Sequence, residues 1–417
     1  MNKKFKIYFI CLSIFCFAVA LIRSINMGIT CDEATTYLNY INKNWFLNLN
    51  LIANNHLLNT ILVQVIVTIT RMEYNPFILR VPNLIIYLIY LYYSYKISKL
   101  YNNKYSLVTA LLLNYSVNEF ASLARGYGMA SAFILAALYY YKLYVTYKDV
   151  RNFRLSILFL ILACSSNTMC LIAAFIFVID FLIMGIRNKS LKKNFMNNIG
   201  FISITFFIFL LLFVYHIFIY MIDDYLSLGF SYCTKDLFSC LIYSPFKYYG
   251  VAFISKYIVG ALFFILVILL VLSLKKNYKE NNLFYMSFVV WTILIILKYI
   301  LKFNFPTGRV MIPFFSIYII SLFDSIDLIF GEKSKYLMII IMIFPFISFF
   351  KNLNIYYVRE WKGDYYLKKQ VEKIVKQKQK IDPNTVPEAL QPTLDYYYRK
   401  YKKLNSYDIL SDAIYDD

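Results

Sequence analysis

The chain has 417 residues, of which 60% are hydrophobic and only 16% charged, where an ordinary soluble domain has about 45–50% and about 25%. With a mean hydropathy of +0.58, there is too little polar surface to cover a core of this size in water, which excludes a soluble enzyme, a disordered chain and a coiled coil. The formal charge of +20, from 43 Lys+Arg against 23 Asp+Glu, sits in short clusters between apolar runs, as on the loops of a multi-pass membrane protein, and no nucleic-acid motif accompanies it.

A membrane helix needs about 20 mostly apolar residues. In chain order the apolar segments are Phe5–Ile25, Leu57–Thr70, Leu79–Ile97, Tyr105–Ala124, Met129–Thr146, Leu155–Thr168, Met169–Ile186, Ile199–Ile222, Val251–Leu274, Leu283–Leu301, Val310–Phe330 and Tyr336–Phe350. The first has a long apolar core and no clear cleavage site, so it reads as a retained helix rather than a signal peptide. Its flank Lys3-Lys4-Phe5-Lys6 puts the N-terminus inside by the positive-inside rule. The basic loops Lys96–Lys104, Lys148–Arg154, Arg187–Lys193, Lys275–Lys279 and Lys333–Lys335 all fall inside if Leu57–Thr70 does not cross the membrane. Leu57–Thr70 is therefore expected to be a re-entrant or membrane-surface helix, leaving about 11 spans.

The expected architecture is an all-α multi-pass membrane protein. Residues 1–350 form the transmembrane domain, with 27–55 as a helical first external loop, and 351–417 form a small external C-terminal segment. That segment holds a charged helix, Tyr365–Lys380, followed by a stretch punctuated by Pro383, Pro387 and Pro392. It is too short and polar for a large domain of its own and is expected to pack over the membrane part as a lid. Of seven cysteines, most lie in apolar runs as packing residues; Cys233 and Cys240 share a loop in which they could pair.

The residues with chemical potential cluster at the external face. Asp32-Glu33 follows the first span; adjacent carboxylates at a membrane surface must be solvated, paired or metal-bound. His56-Leu57-Leu58-Asn59 opens the second apolar segment, Arg80-Val81-Pro82-Asn83 the third, Ala124-Arg125-Gly126-Tyr127-Gly128 interrupts the chain before the fifth, and Arg309 to Pro313 comes late. Structural readings compete at several points. Arg80 is as readily an anchor pairing with a loop carboxylate as a ligand group. Glu119 serves either the site or its support. His216 reads as a packed residue, Lys298 as a snorkelling one, and Asp324 and Asp327 as boundary residues facing the inner side.

In this order the motifs resemble the GT-C superfamily of integral-membrane glycosyltransferases, in the branch of the protein O-mannosyltransferases and lipid A aminoarabinose transferases. The family's acidic pair corresponds to Asp32-Glu33. Its H/K-P-P-L stretch corresponds to His56-Leu57-Leu58, its R-L-P to Arg80-Val81-Pro82, its A-R-x-Y element to Ala124-Arg125-Gly126-Tyr127, and its late R-Y-x-x-P to Arg309 through Pro313. Two departures stand out: leucines replace the prolines after His56, and the acidic residue some relatives carry after the A-R element is missing.

The resemblance implies transfer of a sugar from a polyprenyl-phosphate donor to a lipid, glycan or protein acceptor. Such a donor stays in the bilayer, in accord with the absence of a Gly-rich phosphate loop. It implies Asp32 as general base, with Glu33 orienting the acceptor or ligating a cation. A divalent cation on Asp32, Glu33 and His56 is left open, and no other cofactor is implied. Arg125 and Arg309 are the candidates for the lipid phosphate, since guanidinium groups bind phosphate oxygens bidentately. Arg80 is a further donor-binding candidate, His56 a donor of a hydrogen bond to phosphate or sugar, and Tyr37 and Tyr127 sugar contacts. The expected location is a bacterial inner membrane. A polysaccharide polymerase or ligase using a lipid-diphosphate glycan, or a transporter, are the competing readings.

Overall fold

The computed structural model describes residues 3–41, 56–187 and 308–405, with isolated positions between 200 and 306. The segments Ile199–Ile222, Val251–Leu274 and Leu283–Leu301, together with His216, Lys298 and the Cys233–Cys240 pairing, lie largely or wholly outside the described residues. Among the described residues the regular structure is helical apart from one antiparallel pairing of Cys233–Thr234 with Phe305–Pro306.

The helices are α1 (Lys3–Asn26), α2 (Cys31–Thr36), α3 (Leu57–Thr70), α4 (Pro76–Ser98), α5 (Lys104–Leu112), α6 (Tyr115–Ala121), α7 (Gly126–Tyr147), α8 (Val150–Ser166) and α9 (Cys170–Arg187). After the undescribed region come α10 (Phe315–Phe330), α11 (Ser334–Asn352), α12 (Lys362–Gln377) and α13 (Gln391–Asn405). Among the described residues, α1, α4, α7 and the continuous stretch Gly308–Asn352 are long and apolar enough to cross a membrane, which marks the chain as a membrane protein. At 1.5 Å per residue the 14-residue α3 reaches only about 21 Å, short of a hydrocarbon core of about 30 Å. It begins beside α4 and α7 and leads to Tyr74, whose ring packs on Tyr396 of α13, so both of its ends belong to one end of the bundle.

One sequence expectation changes. Tyr105–Ala124 is not a single helix: Asn114 breaks it, its side chain accepting from Val117 N and capping α6, because Asn favours a cap over a helix interior. The break positions Glu119 and Ala124 as described below. The tail also contains a helix that its sequence did not announce, α13, which starts beside Pro392; proline is well tolerated in a first turn.

The helix directions sort the charges. Phe5 near the start of α1 stacks on Tyr95 near the end of α4, 5.5 Å between centroids, and the Lys104 ammonium lies 5.5 Å from the Phe5 ring. Lys142, late in α7, pairs with Asp324 of α10 at 2.7 Å, while Asp327 accepts from Asn103 and Ser334. The basic helix ends therefore gather at one end of the bundle. Asp32, Arg80 and Arg125 gather at the other, roughly the length of α1 away.

The C-terminal segment is docked on that second end. Asp364 of α12 accepts from Cys31 N at the start of α2, 3.0 Å, and from the Thr393 hydroxyl, 2.6 Å. Burial, opposed by these two donors, pushes its carboxyl up to about 7. A carboxyl protonated more readily when folded stabilises the fold most below its unfolded pKa near 4, and that contribution is lost as pH rises through about 7. Thermal unfolding should thus show stability falling between those values, and Asp364→Asn should flatten the profile there. An unchanged profile in the variant would mean that Asp364 is not the titrating group.

Candidate functional site

Arg80 and Glu33 form the foundation of the site. Both side chains are fully buried and meet as a bidentate pair, Arg80 Nε to Glu33 Oε1 at 2.8 Å and Nη2 to Oε2 at 2.6 Å. Arg80 also donates to the carbonyls of Ser24, Met27 and Gly28, satisfying groups left over where α1 ends. Glu33 closes a capping box with Thr30 and accepts from Ala124 N at 2.7 Å. Burial alone would raise the Glu33 carboxyl, but Arg80 and these donors hold it below its ordinary value. With both oxygens committed, Glu33 positions the loop and the neighbouring motif rather than offering an oxygen to an acceptor or a cation. Arg80 is likewise committed, so its expected donor-binding role gives way to the structural one.

The other motifs are tied to this pair by their own polar side chains. Asn83 Nδ2 donates to Asn59 Oδ1 at 2.7 Å, and Asn59 Nδ2 to Ala124 O at 3.0 Å. Three separated stretches are thereby locked in register, each bond buried where an unpaired group would be costly.

On this foundation stands a second layer. Asp32 Oδ2 lies 3.2 Å from Arg125 Nη2 and 3.0 Å from Arg309 Nη2. Arg125 additionally donates to Thr36 Oγ1 at 3.1 Å. Arg309 reaches a second carboxylate, Glu360 of the C-terminal segment, at 3.0 Å, and its guanidinium stacks on Trp361, 4.7 Å from the ring centroid. Tyr127 sits among these groups: Arg125 and Arg309 approach its ring at 6.0 and 5.9 Å, and His56 meets it edge-on at 4.7 Å. The glycines of the Arg125 motif allow the crowding. A Cβ on Gly126 would come within 1.9 Å of Ser166 O and 2.8 Å of the His56 side chain.

His56 shows a role different from the one expected. Its Nδ1 lies 2.9 Å from Ser166 O, and a carbonyl can only accept, so Nδ1 carries the proton. Burial, reinforced by Arg125, pushes the imidazole well below its ordinary pKa. The ring is neutral, its Nε2 is an acceptor, and among the described residues that buried atom has no hydrogen-bond partner. It suits a ligand hydroxyl and cannot donate to a phosphate.

Tyr37 departs furthest from expectation. It is buried against Tyr74 and Tyr396, at 5.1 and 5.6 Å, and packs the tail rather than joining the arginine cluster. Among the described residues no group of three or more His, Cys, Asp or Glu side chains comes together as a metal site. Asp32, Glu33 and His56 do not fit a divalent cation, because the two carboxylates are already engaged by guanidinium groups.

Sequence reasoning passed over four contributors: Arg23, Glu360, Trp361 and Asp364. Arg23 is fully buried, pairs with Glu119 at 3.2 Å and donates to the carbonyls of Asn354 and Tyr357, while Glu119 accepts from Arg359 N. An arginine in the last turn of an apolar helix was the available signal. The Arg359-Glu360-Trp361 run offered no comparable one. Comparison with protein-family profiles, with curated proteins and with solved structures returned no match.

Proposed function

We propose that the chain is an integral-membrane glycosyltransferase of the GT-C type, moving a sugar from a polyprenyl-phosphate donor to an acceptor hydroxyl. The observation that carries this reading is the Asp32 carboxylate shared by two buried guanidinium groups, Arg125 and Arg309, beside a neutral His56 whose acceptor nitrogen has no partner among the described residues. In the reaction Asp32 removes the acceptor hydroxyl proton, and the acceptor oxygen forms a bond to the anomeric carbon. The bond from that carbon to the phosphate oxygen breaks, and polyprenyl phosphate leaves with its charge stabilised by Arg125 and Arg309. His56 Nε2 accepts from a sugar hydroxyl, while Glu33 and Arg80 hold α2 in place.

The basic helix ends lie on the inner side in this reading, with the N-terminus. Asp32 and residues 351–417 lie outside, in a bacterial inner membrane crossed by about 11 spans. Lipid, glycan and protein hydroxyls are all suitable acceptors.

The test uses the purified full-length protein in nanodiscs with radiolabelled polyprenyl-phosphate sugars and envelope acceptors. Transfer of label to an acceptor fraction is the expected result. Turnover of a diphosphate-linked glycan in place of every monophosphate donor would assign the protein to the polymerase or ligase class, and vectorial movement of an intact lipid without bond cleavage would make it a transporter.

A further inference from the structure

We infer that Glu360 is a built-in counter-ion, holding Arg309 until an anionic ligand takes its place. The inference rests on the reading above, with a lipid phosphate as that anion. Among the described residues, Asp32, Glu360, Arg125 and Arg309 form a cluster of two carboxylates and two guanidinium groups, balanced in formal charge and with side chains no more than 15% exposed. Adding a phosphate to it would leave uncompensated negative charge in a poorly solvated place, which is costly. Exchanging one carboxylate for the phosphate avoids that cost.

The two carboxylates are not equally replaceable. Asp32 stands on α2, fixed by the capping box and the Glu33–Arg80 pair. Glu360 stands at the edge of the cluster, on the irregular stretch before α12. Its flanking backbone is pinned, with Asn354 O and Tyr357 O bonded to Arg23 and Arg359 N to Glu119. The exchange then asks only for an outward rotation of the Glu360 side chain, with the segment still docked. Arg309 keeps its stacking on Trp361 and remains aimed at the incoming anion.

Farnesyl phosphate is a soluble probe of this exchange. Replacing Trp45 and Trp291 by Phe leaves Trp361 as the sole tryptophan of the three, adjacent to the residue that moves. Titration of the full-length protein, followed by Trp361 emission, should show Glu360→Gln binding about ten-fold tighter than the parent, because a competing charge has been removed. Arg309→Gln should bind about ten-fold more weakly, having lost a bidentate phosphate partner. Glu360→Asp, which keeps the charge and shortens its reach, should fall between parent and Glu360→Gln, and it serves as the readout if the neutral variant does not fold. Equal or weaker binding by Glu360→Gln and Glu360→Asp, in a protein that still transfers sugar, would overturn the exchange alone. Absence of farnesyl phosphate binding in all variants, together with absence of transfer, would overturn the exchange and the glycosyltransferase reading together.

Discussion

Asp32→Asn is expected to lower sugar transfer by about 10²–10⁴-fold, the usual contribution of a positioned general base. The substitution is nearly isosteric, and the elements that hold α2 do not depend on the Asp32 carboxylate: Thr30 and Glu33 cap the helix, and Glu33 pairs with Arg80. Loss of activity should therefore come without loss of fold. The effect on donor binding should run the opposite way. Removing one negative charge from between Arg125 and Arg309 leaves both guanidinium groups freer to bind phosphate, so KM for the donor should stay level or fall while kcat drops. That split separates a base from a residue that merely holds the arginines apart, whose loss would raise KM. The donor phosphate would engage the same two guanidinium groups that hold the Asp32 carboxylate, so proton removal and donor binding share one set of residues in the proposed mechanism. Transfer by Asp32→Asn at the parent rate would remove Asp32 from the chemistry.

The parts of this arrangement legible in the sequence are those set by local rules. The lengths of the apolar runs bounded α1, α3, α4 and α7 within a few residues. Leu57–Thr70 was bounded as the very residues that form α3, 14 in all. Asp32, His56, Arg125, Tyr127 and Arg309 were each visible as polar or aromatic interruptions of apolar runs, and they do converge. Long-range choices were not legible. Glu33 and Asp32 are adjacent and chemically alike, yet one faces Arg80 in the foundation and the other faces Arg125 and Arg309 above it. Only the register set by Thr30 and Ala124 decides which. The same decision removes Arg80 from the ligand set. Tyr37, a candidate sugar contact in the sequence, opens the π-helical turn Tyr37–Ile41 and packs instead on Tyr74 and Tyr396. Glu360 and Trp361 lie some 50 residues after Arg309 in the chain, in a polar segment whose own composition says nothing about the surface it covers.

The largest stability effect should come from the foundation. Glu33→Gln or Glu33→Ala leaves the Arg80 guanidinium, 0% exposed, without its counter-charge, and breaking one partner of a buried pair costs about 3–5 kcal/mol. The loss should propagate, because Glu33 also holds Thr30 N and Ala124 N and so joins the loop after α1 to the Arg125 motif. The double variant Glu33→Gln/Arg80→Met should recover part of the loss, since the penalty of the orphaned charge is removed with the charge itself. Thermal unfolding of the four members of that cycle in one detergent gives the coupling directly. The pH dependence adds an independent check. A carboxyl held below its unfolded pKa stabilises the fold above that value and loses its contribution as pH falls through the folded pKa. The parent should therefore lose stability on acidification below the ordinary carboxylate range, and Glu33→Gln should lack that component. A single-variant cost below about 1 kcal/mol, in the range of exposed pairs, would show that water reaches Arg80 and that the loop carrying Asp32 is held by something other than this pair.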